Sequence, residues 1–331
     1  MLFSVVIPVF NCESFLNDAI DSVLSQDYHD FEIVVVDDGS SDGSGAIADA
    51  YAAAHGNVYV LHDPNQGLLL ARRKGLLHAK GEYVLFLDAD DQFKAGAFAR
   101  IAQVIKDTGA DIVSFRLSRE SSFIIPNGGI GGLEAGFYGV DAYRRIKEHV
   151  CRGRFNNLCG KALRLSCVDV GAPYEAYEGL MHGEDLFQLL PIVDAAGSLA
   201  QIDDVLYFYR PNEGSSTAKY KSSQLSDIVL VNRRLRDYAR RWENSCPPAA
   251  VCGESDQYFY LLKMSELGCG SSEGKAAAFD EIRRAMFNEG VFDRMRGVAI
   301  RPDNRALAFC IARGWHGAAR AVVRAVEAMK R

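Results

Sequence analysis

The chain has 331 residues, of which 48% are hydrophobic and 24% charged, and its net charge is -6. That length gives two domains as the prior, and the composition is that of a globular protein with an ordinary core. The acidic balance argues against general nucleic-acid binding, which leans on basic patches. No run reaches the roughly 20 apolar residues of a membrane-spanning helix.

The opening MLFSVVIPVF lacks the basic stretch and small-residue cleavage site of a secretory leader, and Asn11 and Glu13 end its apolar run. Eight cysteines are scattered without a Cys-x-x-Cys pair. With no leader, they are expected as reduced thiols of a cytoplasmic protein, not disulfides. Cys151, Cys159 and Cys167 are evenly spaced, yet no His or further Cys completes a zinc set nearby.

Apolar runs at 3–10, 31–38, 57–63, 82–88 and 110–117 predict strands buried on both faces, as in a parallel sheet. Helical periodicity fills the gaps at 13–26, 42–54 and 66–79, with a further helix near 95–107. Asn11 or Ser14 is placed to cap the first of these. Strands alternating with helices at this spacing predict βαβ units.

Beyond residue 118 the rhythm changes. Residues 119–137 are Gly-rich and predict a loop or hairpin, followed by a short helix at 139–150 and an irregular stretch through 182. A helix over 184–196 and a strand over 199–210 come next. From Ser222 the pattern is helical, with Leu225, Ile228, Val229, Asn232, Leu235, Ala239 and Trp242 on one face. The expected division is an α/β domain at 1–217 and an all-helical region at 218–331.

In an open α/β sheet, ligands bind beyond the carboxyl ends of the strands. The ends here collect Asp38, Asp88, Asp90 and Asp91. A dinucleotide fold would need G-x-G-x-x-G after the first strand, where the chain reads PVFNCE, and no P-loop occurs. An EF-hand counted from Asp88 has Phe93 where Gly is required and Ala99 where Glu is required. Crowded carboxylates at a strand end suit a divalent cation bridging to phosphate oxygens. A bare Asp-x-Asp is more often a helix cap or a solvated turn, so the motif alone decides nothing.

Order and spacing add the rest. SVVIPVFNCE, EIVVVDDGSSDGS, NQGLLLARRKG and GEYVLFLDADD follow one another over residues 3–94. Later come NNLCGKALR at 156–164, GEDLFQLL at 183–190 and YFYRPNEGSST at 207–217. Together these blocks resemble the family 2 glycosyltransferases, over residue 3 to about 217.

The resemblance implies the GT-A fold: a Rossmann-like, mixed and mostly parallel sheet flanked by helices, here with a C-terminal all-helical region. It implies an inverting hexosyl- or N-acetylhexosaminyl-transferase that takes a sugar from a nucleotide-diphosphate donor, most often a UDP-sugar. The acceptor would be a hydroxyl of a cell-surface polysaccharide or glycolipid, some of them lipid-linked glycans. Carried over by position, Pro8, Phe10 and Asp38 line the uracil and ribose, with Glu13 close by. Phe10 stands where Tyr is commoner. Asn65 and Arg72 match a base- and phosphate-side pair, with Arg73 in place of the usual Asn. Asp88 faces the ribose or donor sugar, Asp90 ligates Mn²⁺ or Mg²⁺ with Asp88 beside it, and Asp91 has a supporting or capping role. Asp185 is the matched general base, and Glu184 would orient it or contact the acceptor. Arg210, Ser215 and Ser216 match a segment that closes on the pyrophosphate, and Lys161 matches a Lys/Arg position. Two other classes remain open: a nucleotidyltransferase on a related fold, and a non-catalytic nucleotide-sugar-binding or assembly module.

The last 31 residues carry seven Lys/Arg against two acids, so residues 301–331 are +5 and the remainder -11. Leu307, Ile311, Trp315, Ala319, Val322, Val326 and Met329 recur at helical spacing with Arg313, Arg320 and Arg324 off the stripe. This predicts a basic amphipathic helix, interrupted at Gly314 or Gly317. It either packs internally or lies peripherally on the inner face of a membrane. A homo-oligomer is a further open expectation.

Overall fold

The computed structural model describes residues 1–124, 133–211, 220–268 and 271–329. Its contacts divide the chain into two units: Met1–Ile146 with Phe155–Asn212, and Lys147–Arg154 with Glu213–Arg331. The expected boundary at 217 lies outside the described residues, as do Ser215 and Ser216.

In the first unit, the apolar runs become β1 (Phe3–Val9), β2 (Phe31–Asp37), β3 (Val58–His62) and β4 (Tyr83–Phe86). Between them run α1 (Leu16–Leu24), α2 (Ser44–Ala54) and α3 (Leu68–His78). After β4 come β5 (Gln92–Phe93), α4 (Ala97–Thr108), β6 (Ile112–Ser118), β7 (Gly136–Tyr138) and α5 (Val140–Cys151), the last of which belongs to this unit only as far as Ile146. The set closes with β8 (Lys161–Arg164), α6 (Glu184–Ala195) and β9 (Leu199–Phe208). Every residue of β1, β2 and β4 is buried, as strands covered by helices on both faces require.

One sheet takes the order β3-β2-β1-β4-β8-β6-β9-β5, with β7 paired to β9 off this path. β1 runs parallel to β2 and β4, β2 to β3, and β6 to β9; these are the longer ladders. β8 lies antiparallel between β4 and β6. This strand falls within the stretch expected to be irregular: it is four residues long, and Lys161 and Arg164 at its ends hide the apolar signal. Its reversal has a consequence for the site, because the residues entering β8 arrive at the carboxyl end of β4.

Backbone approach is close in two places. A Cβ on Gly75 would come within 2.3 Å of Val6 Cγ1, so its absence lets α3 lie against β1. Gly39 has φ +75°, and a Cβ there would meet Asn65 N at 2.7 Å. The loops after β2 and β3 are thereby pressed together at the sheet's carboxyl edge. Neither expected cap forms at α1: its N-cap is Phe15 without a side-chain bond, and Asn11 instead accepts from Ser41 N at 2.8 Å.

The second unit is helical: α7 (Ser223–Trp242), α8 (Cys246–Gly268), α9 (Ser272–Asn288), α10 (Val291–Arg294), α11 (Pro302–Ala312) and α12 (His316–Ala328). Ile228, Leu235, Ala239 and Trp242 of the predicted α7 face are buried. The single C-terminal helix is two helices separated at Gly314, and Leu307, Ile311, Ala319 and Val323 enter this unit's core. Among the described residues, no helix is long and apolar enough to cross a membrane.

Candidate active site

The carboxyl ends of β1, β2 and β4 bring three loops to one edge of the sheet. Asp38, just past β2, is buried and accepts from Gln66 N and Gly67 N, each at 2.9 Å. Those two amides open α3, so Asp38 fixes the loop that carries Asn65. Burial pushes the Asp38 carboxyl up, against the lowering effect of the two amides.

Pro8 is buried in β1 beside Val36, while Phe10 is 50% exposed and presents its ring at the edge. Glu13 is committed to the neighbouring loop: it accepts from Gly43 N at 2.6 Å, and its own N–H donates to Asp42. Its part is to join the loops after β1 and β2.

Arg72, on the inner face of α3, is the hub. It is 1% exposed; Nη2 donates to Asp88 Oδ1 at 3.0 Å and Nη1 to Asp185 Oδ1 at 2.5 Å. Burial disfavours its charge, but Asp185 and Asp88 more than offset this and hold the guanidinium charged. The resemblance pointed Arg72 toward phosphate; here it joins the Asp-x-Asp turn to the start of α6. Arg73 points elsewhere, stacking over Tyr174 at 4.4 Å and donating to Ala172 O.

Asp185 stands in the first turn of α6, after Gly183 in the left-handed region, where the helix N-terminus favours a carboxylate. Its Oδ2 accepts from Leu158 N at 3.3 Å. Glu184 beside it is pushed up by burial and by the Asp185 charge, so it holds its proton more tightly than an ordinary glutamic acid.

The reversal at β8 supplies the next partners. Cys159, buried, donates Sγ to Asp88 Oδ2 at 3.3 Å. Lys161 is 2% exposed, lies over the Phe155 ring at 4.1 Å and donates to Asn157 Oδ1 at 2.8 Å. It is thus a buried lysine, and burial pulls it down to about 7 despite the nearby Asp185.

On the other side, the β5–β9 pair sets Tyr207 opposite Phe93. Tyr207 Oη donates to Asp91 Oδ2 at 2.7 Å and accepts from Asp88 N at 3.2 Å. Asp91 also accepts from Arg210 N at 2.8 Å. It caps nothing: α4 begins after Gly96 without a side-chain bond. Burial and the Asp88 charge push the Asp91 carboxyl up to about 8. Arg210 Nε donates to the Asp90 carbonyl at 2.8 Å and Nη2 to Asp18 at 3.1 Å. This places Arg210 on the Asp-x-Asp turn.

Burial first, then Asp90, Asp42 and Asp88, push the Cys12 thiol up to about 11, so the loop after β1 also feels the acidic turn. Among the described residues, no group of three His, Cys, Asp or Glu is arranged to hold a metal alone. The donor set is nonetheless of the right kind. Asp88, Asp90 and Asp91 put hard carboxylate oxygens on one turn, and Mg²⁺ or Mn²⁺ takes one or two such oxygens and fills its shell with water and phosphate.

Cys159, Tyr207 and the Leu158 amide are the partners that sequence reading missed. Cys159 and Leu158 do lie inside the block NNLCGKALR, and Tyr207 begins YFYRPNEGSST.

Residues 4–127 match the model of the Glycosyl transferase family 2. Glycosyltransferase GlyA of Streptococcus pneumoniae is 37% identical over 236 residues, covering 68% of this chain and 33% of that protein. Glycosyltransferase GlyG of the same organism is 39% identical over 113 residues, covering 34% of this chain and 38% of that one. The chain therefore spans less than two thirds of either relative. Among solved structures, residues 1–349 of S. aureus TarS in complex with UDP-GlcNAc superpose with a TM-score of 0.72 at 19% identity, covering 99% of this chain and 92% of that one. That likeness is one of fold, the GT-A fold.

Proposed function

Residues 4–127 belong to glycosyl transferase family 2, and from that premise we propose that the protein is an inverting, metal-dependent glycosyltransferase. It transfers a sugar from a UDP-sugar to a hydroxyl of a surface polysaccharide or glycolipid, on the cytoplasmic side. The observation that carries the reading is the Arg72 bridge: one buried cation ties the Asp-x-Asp turn to the carboxylate at the head of α6. Donor handling and proton removal are thereby held in one rigid frame. The TarS complex with UDP-GlcNAc supports a UDP-linked donor. We place the catalytic domain at 1–217 and treat 218–331 as a separate helical domain.

Phe10 offers a face for the uracil ring, and Asp38 fixes the Asn65 loop against it. Asp90, with Asp88, would hold Mn²⁺ or Mg²⁺, which offsets the charge of the departing diphosphate. Asp185 takes the proton from the acceptor hydroxyl as that oxygen attacks the anomeric carbon from the face opposite the leaving group. Arg72 holds Oδ1 of Asp185, and Asp185 stands in the first turn of α6, where a helix N-terminus favours negative charge. Glu184, protonated, donates a hydrogen bond to the acceptor. Arg210 supplies a fixed cation to the pyrophosphate.

The reading is tested by incubating the protein with Mn²⁺ and UDP- or GDP-linked sugars and following nucleotide release. A donor hydrolysed only with metal supports it. Absence of release from every donor, with tight UDP binding by calorimetry, would instead favour a non-catalytic module.

A further inference from the structure

The C-terminal arginines and the aromatic residues between them form a surface in the second unit that the proposed chemistry does not use. The apolar stripe Leu307, Ile311 and Ala319 is spent inside the core. The opposite face of α11 carries Arg305 and Phe309, one turn apart. Phe309 is 49% exposed and Trp315, just past the Gly314 break, is 52% exposed; their rings sit edge to face at 5.7 Å. Arg313 stacks on Phe309 at 3.6 Å and lies 5.7 Å from Trp315. Arg283 reaches the same corner from α9, donating to Ile311 O, and stacks at 5.1 Å on a third exposed ring, Phe287.

Beside Phe309 lies an open hollow of about 480 Å³, lined by Ile300, Pro302, Arg305, Ala306, Phe309 and Cys310. No carboxylate lines it. Large exposed rings interleaved with arginines are costly to leave in water and suit an interface whose depth is apolar and whose surface is anionic.

We propose that this face docks on an anionic lipid surface, with Phe309 and Trp315 entering at the level of the headgroups and Arg305 and Arg313 on the lipid phosphates. Charge selects this occupant. A second copy meeting the face about a two-fold axis would set arginine against arginine. The lipid surface instead attracts a +5 segment of a chain that is otherwise -11. The inference does not depend on the transferase reading.

The test is co-sedimentation of the full chain with phosphatidylcholine vesicles, with and without phosphatidylglycerol. Emission is followed in Trp242→Phe, which leaves Trp315 as the only tryptophan. Expected are binding only when phosphatidylglycerol is present, a blue shift of Trp315 on binding, and release by salt. Arg305→Glu with Arg313→Glu should weaken partitioning by about tenfold or more. Phe309→Ser with Trp315→Ser should weaken it while the helical circular dichroism and UDP binding stay unchanged. Equal partitioning of the charge-reversed and parent proteins, or no binding to either vesicle, overturns the proposal. So does self-association that disappears in the Phe309/Trp315 variant, which would make the face a contact between copies.

Discussion

Asp88 and Asp185, far apart in the chain, share one counter-ion: the buried guanidinium of Arg72 meets Asp88 at 3.0 Å and Asp185 at 2.5 Å. Removing one partner of a buried ionic group leaves the others uncompensated, at a cost of about 3–5 kcal/mol. Arg72→Met is therefore expected to lose about that much stability in urea unfolding. Arg72→Lys keeps the charge but lacks the planar fork that spans two carboxylates. Its transfer rate should fall by roughly 100-fold through misplacement of Asp185. Wild-type turnover in Arg72→Lys would show that the bridge is not needed for chemistry.

Asp90→Ala should weaken Mn²⁺-dependent UDP binding by about tenfold or more in calorimetry, since even outer partners of a metal cost about that much when removed. UDP binding measured in EDTA should be the same in variant and parent. A variant that still gains affinity from Mn²⁺ would move the metal away from this turn.

Tyr207→Phe takes one donor from Asp91 and the acceptor from Asp88 N. A buried polar group left without its partner costs about 1–3 kcal/mol, and guanidinium-chloride unfolding should show a loss of that size. The Asp-x-Asp backbone is then less well held, so KM for the donor should rise as well. A stability loss with unchanged KM would confine Tyr207 to a packing role.

Lys161 gives the pH prediction. Its ordinary value of 10.5 is lowered to about 7 by burial. Below about 7 both folded and unfolded chains carry the charge, and the folded chain bears the full cost of burying it. Between about 7 and 10.5 the unfolded chain binds a proton that the folded chain does not, so stability rises with pH, by at most about 1.4 kcal/mol per unit. Lys161→Met should lack this slope. Denaturant midpoints of the two proteins across pH 6.5 to about 9.5 check it; parallel curves would contradict the burial argument.

The alternating half of the fold was legible because burial on both faces leaves its mark in composition: β1, β2 and β4 are near-continuous apolar runs bounded by polar turns, interrupted at Ser4 and Glu32, which bond to each other at 2.6 Å. β8 was not legible. Its two apolar residues, Ala162 and Leu163, lie between a lysine and an arginine whose burial and pairing depend on distant partners. The antiparallel reversal that β8 introduces was hidden with it. So too was the route by which Leu158 and Cys159 reach the acidic edge.

Within the site, strand ends could be read as the place to look, which located Asp38, Asp88 and Asp90. Side-chain direction could not be read. Glu13 turns to Gly43 N and Arg72 turns to Asp88 and Asp185, partners that the fold brings in from other loops and that no local sequence pattern announces. The C-terminal pattern named the buried stripe correctly at Leu307, Ile311 and Ala319, yet it also counted Trp315 and Met329, which are exposed. The Gly314 break rotates that ring outward.

In the proposed mechanism Asp185 removes the acceptor proton, and donor binding does not need its charge. Asp185→Asn is nearly isosteric, but its one oxygen accepts from Arg72 or from Leu158 N and not from both, so some loss of stability is expected beside the kinetic effect. Calorimetry with UDP and Mn²⁺ should give affinity within about twofold of wild type, while transfer to acceptor falls by about 10²–10⁴. Transfer at the wild-type rate in Asp185→Asn would contradict the account.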